Sequence, residues 1–195
     1  TAQGGQADKF VTLDIGPLGR LLAPLGDLPF ERAVELFAQQ VRAGVAAGAD
    51  LILIETMNDC YETKAAVLAA KEQTSLPVFV TNVYDGSGKL MTGATPAAML
   101  AMLEGMGADA IGANCSLGPK QLAKVAEELL ENASVPVLLK PNAGLPEVKN
   151  GKTKFNVTPE EFVEDVTKLI KKGLRVVGGC CGTTPDYIKA LTEKS

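Results

Sequence analysis

The amino-acid sequence predicts an α/β fold, a (β/α)8 TIM barrel with six of the eight strand–helix units present. Three observations carry this expectation. Short apolar runs alternate with longer stretches of helical periodicity, which implies parallel strands joined by crossover helices. Runs such as Leu51-Ile52-Leu53-Ile54 are continuous, as in strands covered on both faces. The joints recur at a fixed offset: Gly48-Ala49-Asp50 and Gly107-Ala108-Asp109 lie 59 residues apart, as do Ser75-Leu76-Pro77 and Ser134-Val135-Pro136. A double strand–helix unit therefore repeats. An open doubly wound sheet is the competing architecture, and the regular recurrence favours the barrel. Closure takes eight units, so two are expected before Thr1, and the small polar stretch Thr1 to Gln6 reads as a linker or a cut edge. Residues 1–195 are expected to form one N-terminally truncated domain.

The units follow in order. Phe10 to Ile15 reads as a strand ended by Gly16-Pro17, and Phe30, Val34, Phe37, Val41 and Val45 recur at helical spacing. After the strand at Leu51, Asp59 offers an N-cap with Glu62 three residues on, and Ala65, Leu68 and Ala69 continue that helix. Val78 to Val83 is a strand, and Thr95-Pro96 opens a helix carrying Met99, Met102, Leu103 and Met106. Ala110 to Ala113 is a strand, followed by a helix with Leu122, Val125, Leu129 and Leu130. Val137 to Leu139 is a strand, and Thr158-Pro159-Glu160-Glu161 is a capping box with proline at the first helical position. Leu174 to Val177 is the last strand, and Thr184-Pro185 opens the last helix.

Composition limits the chemistry. Hydrophobic residues make up 46% and charged residues 22%, with a net charge of −4, which argues for a soluble globular domain and gives no reason to expect nucleic acid or an acidic membrane as partner. No apolar run is long enough to span a bilayer. Four cysteines in 195 residues lack the density of a secreted disulfide scaffold, so a reducing, cytoplasmic setting is expected. There is no histidine. That removes Ser-His and Cys-His nucleophile mechanisms and leaves sulfur and oxygen as metal ligands.

Active sites of such barrels lie where the strands end. The strand ends here are Asp14 to Gly16, Glu55-Thr56, Thr81-Asn82, Asn114-Cys115, Lys140-Pro141-Asn142 and Gly179-Cys180-Cys181. Three of the four cysteines fall among them. A single free cysteine is often a small buried hydrophobe. Three at strand ends, two of them adjacent among Gly178, Gly179 and Gly182, read instead as a metal site. Adjacent side chains diverge on a regular strand, so Cys180 and Cys181 can share one ion only if the backbone leaves regular geometry, which the glycines permit. Three thiolates leave tetrahedral zinc one open position, the mark of a catalytic site. Cys60, early on an alanine-rich helix, is read as packing.

Gly112-Ala113-Asn114-Cys115 together with Gly178-Gly179-Cys180-Cys181-Gly182 resembles the metal-binding pair of the zinc-dependent homocysteine S-methyltransferase family. Pro141-Asn142-Ala143-Gly144 and Asp14-Ile15-Gly16-Pro17 are similar to that family's strand-end motifs. The nearest resemblance is to the homocysteine-binding domain of cobalamin-dependent methionine synthases. The family's strand-one Asp-Gly and strand-two Thr-Asn motifs are not found, in keeping with two absent units. The resemblance implies zinc held by Cys115, Cys180 and Cys181, with L-homocysteine as substrate. Its sulfur would lose a proton on coordination and take a methyl group, giving methionine. The implied donor is methylcobalamin, held with folate by other domains of the same full-length protein. Betaine or S-methylmethionine serves other relatives and stays open as donor. Glu55 is implied as the partner of the substrate's ammonium, and Asn114 is expected to join it at the substrate and to orient the site by hydrogen bonds. Lys140 suggests a rival, a Schiff-base aldolase-like enzyme, although a solvated or helix-facing lysine is the plainer expectation. A non-catalytic zinc- or thiol-binding module is the alternative from another class.

Overall fold

A computed structural model describes residues 9–149 and 151–194; the opening Thr1 to Gln6 lies outside the described residues. Six parallel strands form one sheet: β1 (Thr12–Ile15), β2 (Leu51–Met57), β3 (Val78–Asn82), β4 (Ala110–Asn114), β5 (Val137–Lys140) and, after a hairpin, β8 (Val176–Val177). They lie side by side in chain order. A doubly wound sheet reverses its strand order at a switch point, and none occurs among these six. The helices are α1 (Phe30–Ala46), α2 (Cys60–Gln73), α3 (Pro96–Gly105), α4 (Pro119–Asn132), α5 (Pro159–Ile170) and α6 (Pro185–Lys194).

The two faces of the sheet differ. Ile15, Ile52, Ile54, Val78, Val80, Ile111, Ala113, Val137 and Leu139 alternate onto one face and are buried there, in a core with Phe37, Val41, Leu122, Phe162 and Val166 from the helices. On the other face Thr12, Asp14, Leu53, Glu55, Phe79 and Val176 keep partial or full exposure, whereas Thr81, Ala110, Asn114 and Leu138 of the central strands are buried. The sheet curls around this second face. On a flat sheet β2 and β5, three strand spacings apart, would lie roughly 14 Å from each other, yet Lys140 of β5 is ion-paired with Glu55 of β2. The architecture is thus a curled, singly wound α/β sheet with helices on its outer side.

The 59-residue repeat has a structural reason. Asp50 accepts a hydrogen bond from the Val11 backbone N–H at 2.7 Å, and Asp109 accepts from the Val78 N–H at 2.8 Å. Each aspartate thereby ties the start of its own strand to the preceding one. The carbonyls of Pro77 and Pro136 accept from the N–H groups of Ile52 and Ile111 at 2.9 and 3.1 Å, so the second joint repeats its role too. Gly48 and Gly107 turn out of their helices at φ +87° and +78°, which only glycine does at little cost.

The caps form as the sequence reading expects. Asp59 Oδ1 accepts from Glu62 N at 2.6 Å, and Thr158 with Glu161 completes a capping box on α5. Strand bounds are tighter than expected at both sheet edges. β1 starts at Thr12 and β8 spans two residues, because among the described residues each pairs on one side and has few ladder bonds to define it. A hairpin, β6 (Pro146–Lys149) and β7 (Lys152–Phe155), is an element that the periodicity reading leaves as loop.

Candidate metal and substrate site

The cysteines converge. The Sγ atoms of Cys115, Cys180 and Cys181 all lie within 4.8 Å of one another, and Cys115 Sγ stands 3.7 Å from Cys181 Sγ. Cys115 follows β4, where its φ of +60° and that of Ser116 at +63° turn the chain sharply; such values are costly outside glycine and persist where surroundings fix them. The Cys115 N–H donates to Lys140 O at 3.0 Å. The adjacent pair escapes strand geometry because β8 ends at Val177. The loop after β5 then grips it: Cys180 N donates to Pro141 O at 2.9 Å, Cys181 N to Asn142 Oδ1 at 3.0 Å, and Ala143 N to Cys181 O at 2.9 Å. Thr183 closes the turn through its N–H and hydroxyl on Cys180 O.

Asn114 and a bulge carry the next layer. Ile54 pairs with Val80 but Met57 pairs with Asn82, so β2 holds one extra residue at Glu55-Thr56. A bulge of this kind re-aims side chains. Ile54 and Met57 stay on the buried helical side, while both Glu55 and Thr56 turn to the inner face. Thr56 sits at φ +62°, unusual for a β-branched residue, and is held from two atoms. Its N–H donates to Asn114 Oδ1 at 2.9 Å, and its Oγ1 accepts from Asn114 Nδ2 at 2.8 Å. Asn114 also accepts from Thr81 Oγ1 at 2.8 Å and directs Nδ2 toward Cys180 Sγ at 3.8 Å. The side chain is fully buried and both ends of its amide are engaged. Asn114 therefore positions Cys180 and Thr56, and a direct hold on substrate, as the sequence reading expects of it, would require these bonds to break.

Three charged groups occupy the same face. Lys140 Nζ is ion-paired with Glu55 Oε2, with the two side chains only 20% and 17% exposed. Asp14 of β1 stands beside them, and its carboxyl is pushed above the usual range by partial burial first and then by the Glu55 carboxylate, against the pull of Lys140. Lys140 is neither solvated nor helix-facing, contrary to expectation. The curl brings its strand end within reach of β2, which a one-dimensional pattern does not convey. Lys140 is engaged by the Glu55 carboxylate rather than standing free at the strand end, which counts against the aldolase alternative.

The donor set fits a soft or borderline metal ion. Thiolates about 2.3 Å from tetrahedral zinc lie roughly 3.8 Å from one another, close to the Cys115–Cys181 spacing. Burial, then the neighbouring Cys115, pushes the Cys180 thiol above its ordinary range, so gathering the thiolates calls for a compensating cation. Among the described residues no fourth histidine, cysteine or carboxylate joins the cluster. Cys60 lies apart, its Sγ 3.5 Å from Met102 Sδ between α2 and α3. Thr56, Thr81, Asn142, Asp14 and Lys140 belong to the site's surroundings; the sequence reading names all five as strand-end residues but gives a role only to Lys140, in the rival aldolase reading. Their position at strand ends was the available signal.

Fold and site together define a parallel α/β protein with a three-cysteine cluster and an ion pair at the C-terminal ends of its strands. The sequence model of the family described as homocysteine S-methyltransferase matches residues 1–195, and the chain belongs to that family. It is 34% identical over 189 residues to a methionine synthase of Mycobacterium leprae, a match covering 94% of this chain and 16% of that protein. The chain thus spans about one-sixth of that relative's length. The homocysteine methyltransferase MmuM of Escherichia coli superposes with a TM-score of 0.76 in its apo form, at 23% identity over 95% of this chain and 62% of the other. Its metallated form gives 0.73 at 25% identity, covering 95% and 61%.

Proposed function

We propose that this chain forms the homocysteine-binding, zinc-dependent methyltransferase barrel of a larger methionine synthase-type protein. The reaction is transfer of a methyl group to the sulfur of L-homocysteine, giving methionine. The observation that carries this reading is the convergence of three cysteine sulfurs beside an ion pair on one open sheet face. Cys115, Cys180 and Cys181 would hold the zinc. When bound, the metal supplies the positive charge that keeps a substrate thiol ionised at neutral pH. Asn114 fixes Cys180, and Asn142 fixes the Cys181 backbone. Glu55, aimed inward by the bulge, takes the substrate's ammonium. With the thiol proton lost on binding, the site needs no side-chain base, which suits a chain without histidine.

The methyl donor proposed is methylcobalamin, presented by a cobalamin domain of the full-length protein that also carries a folate domain. Support comes from the resemblance to a methionine synthase. Closure into eight strands is part of the same proposal. Among the described residues β1 and β8 each pair on one side, and the inner-face residues Thr12 and Asp14 of β1 are exposed, as the interior of a barrel with two more strands to close it would leave them. The test is methionine formation by the intact protein from methylcobalamin and L-homocysteine, with and without removal of zinc by a chelator. Methionine should form only with zinc and homocysteine together, and undiminished turnover after zinc removal would refute the reading.

A further inference from the structure

Resting on the reading that Glu55 binds the substrate's ammonium, we infer that Lys140 is a substrate-positioning residue that pairs with Glu55 until the substrate's ammonium takes that carboxylate, and then turns to the α-carboxylate of the bound amino acid. Three observations lead there. Lys140 is paired with Glu55 although its own strand lies three strands away. Its stem runs over Gly178, where a Cβ would come within 3.1 Å of Lys140 Cγ, two residues before Cys180. It also stands in register beside Asn114, whose amide reaches toward Cys180 Sγ. The amine therefore lies along the route from the sulfur cluster to Glu55, the route that an amino-acid thiol anchored at both ends would follow.

Charge conservation supplies the second step. A lysine lying only 20% exposed is costly to leave without a counter-ion. When a substrate ammonium takes Glu55, the displaced Lys140 needs a new anion within reach. Asp14 stands on the same face, but the ion pair that Lys140 makes is with Glu55. An amino-acid substrate brings its own anion, the α-carboxylate, one carbon from the ammonium. One ion pair is then exchanged for two, and no charge is stranded. Selectivity follows: a thiol with an ammonium but no carboxylate would have to displace Lys140 and leave it unpaired.

The test compares ligand binding by calorimetry to the intact, zinc-loaded protein and to its Lys140→Met and Lys140→Arg variants. The probes are L-homocysteine, 3-aminopropane-1-thiol, which lacks the carboxylate, and propane-1-thiol. Lys140→Met should weaken homocysteine roughly ten- to hundredfold, the worth of a charged hydrogen bond, and should leave 3-aminopropane-1-thiol unchanged or bound more tightly. Lys140→Arg should stay within a few-fold of the parent for homocysteine. Zinc content should match in all three proteins. If Lys140→Met misfolds, Lys140→Gln serves for the same comparison. Equal losses for the two amino thiols, or undiminished homocysteine affinity in Lys140→Met, would overturn the inference. If the parent binds 3-aminopropane-1-thiol and homocysteine no better than propane-1-thiol, the ammonium reading itself fails and takes this inference with it.

Discussion

Three sulfurs and one carboxylate carry the proposed chemistry. Cys115→Ser, Cys180→Ser and Cys181→Ser should each abolish tight zinc binding, measured as metal retained after dialysis against a weak chelator, because a hydroxyl does not replace a thiolate donor. Cys60→Ser should retain about one zinc per chain, since its sulfur lies against Met102. Glu55→Gln should weaken L-homocysteine far more than 4-sulfanylbutanoate, which has no amino group, while zinc content stays level. Equal losses for both thiols would assign Glu55 a general structural role instead. Asn114→Ala should cost about 2 kcal/mol or more of stability in denaturant melts, because it strands Thr56 and Thr81 donors in a buried place. The cysteines were legible in the sequence, since residue type and strand-end position suffice to single them out. The Lys140–Glu55 pair was not, because it depends on sheet curvature and on one extra residue in β2, neither of which leaves a periodic trace.

Strands and helices were largely legible because each obeys a local rule. Continuous apolar runs mark strands buried under helices, and Asp59, Thr95 and Thr158 cap the helices that the sequence assigns to them. The β6–β7 hairpin was missed for a local reason as well. Its strands mix charged and polar residues without an apolar stripe, although Asn150-Gly151 between them is a strong hairpin signal. The hairpin bears on the site. Phe155 of β7 lies against Gly182, which follows the cysteine pair at φ +81°, and a Cβ there would run into the ring. Gly182→Ala should therefore weaken zinc binding without touching a ligand. A sterner case is Gly112→Ala on the inner side of β4, where a Cβ would strike the Leu138 carbonyl of β5. It should cost about 1–3 kcal/mol of stability, read as a lowered melting temperature, and a neutral result would mean that the two strands are less closely apposed.

At the scale of the molecule, the singly wound order and the curl decide what the fold can do. They bring the ends of β1, β2, β4, β5 and β8 around one point, so residues far apart in the chain share a site. The sheet's two edges carry the consequence. Unpaired edge strands invite pairing with another chain, and the half-buried Leu53, Phe79 and Val176 of the inner face add some apolar surface to that tendency. The 195-residue chain by itself should self-associate in size-exclusion chromatography, whereas the same chain preceded by two further strand–helix units should elute as a monomer and melt cooperatively. A cooperative monomer without them would favour an open sheet as the complete architecture. The most direct test of the central claim is zinc K-edge X-ray absorption on the zinc-loaded intact protein, before and after addition of L-homocysteine. The account predicts three sulfur neighbours at about 2.3 Å with one lighter ligand, becoming four sulfurs when homocysteine is added. Four protein ligands at the outset, or a sulfur count unchanged by homocysteine, would contradict it.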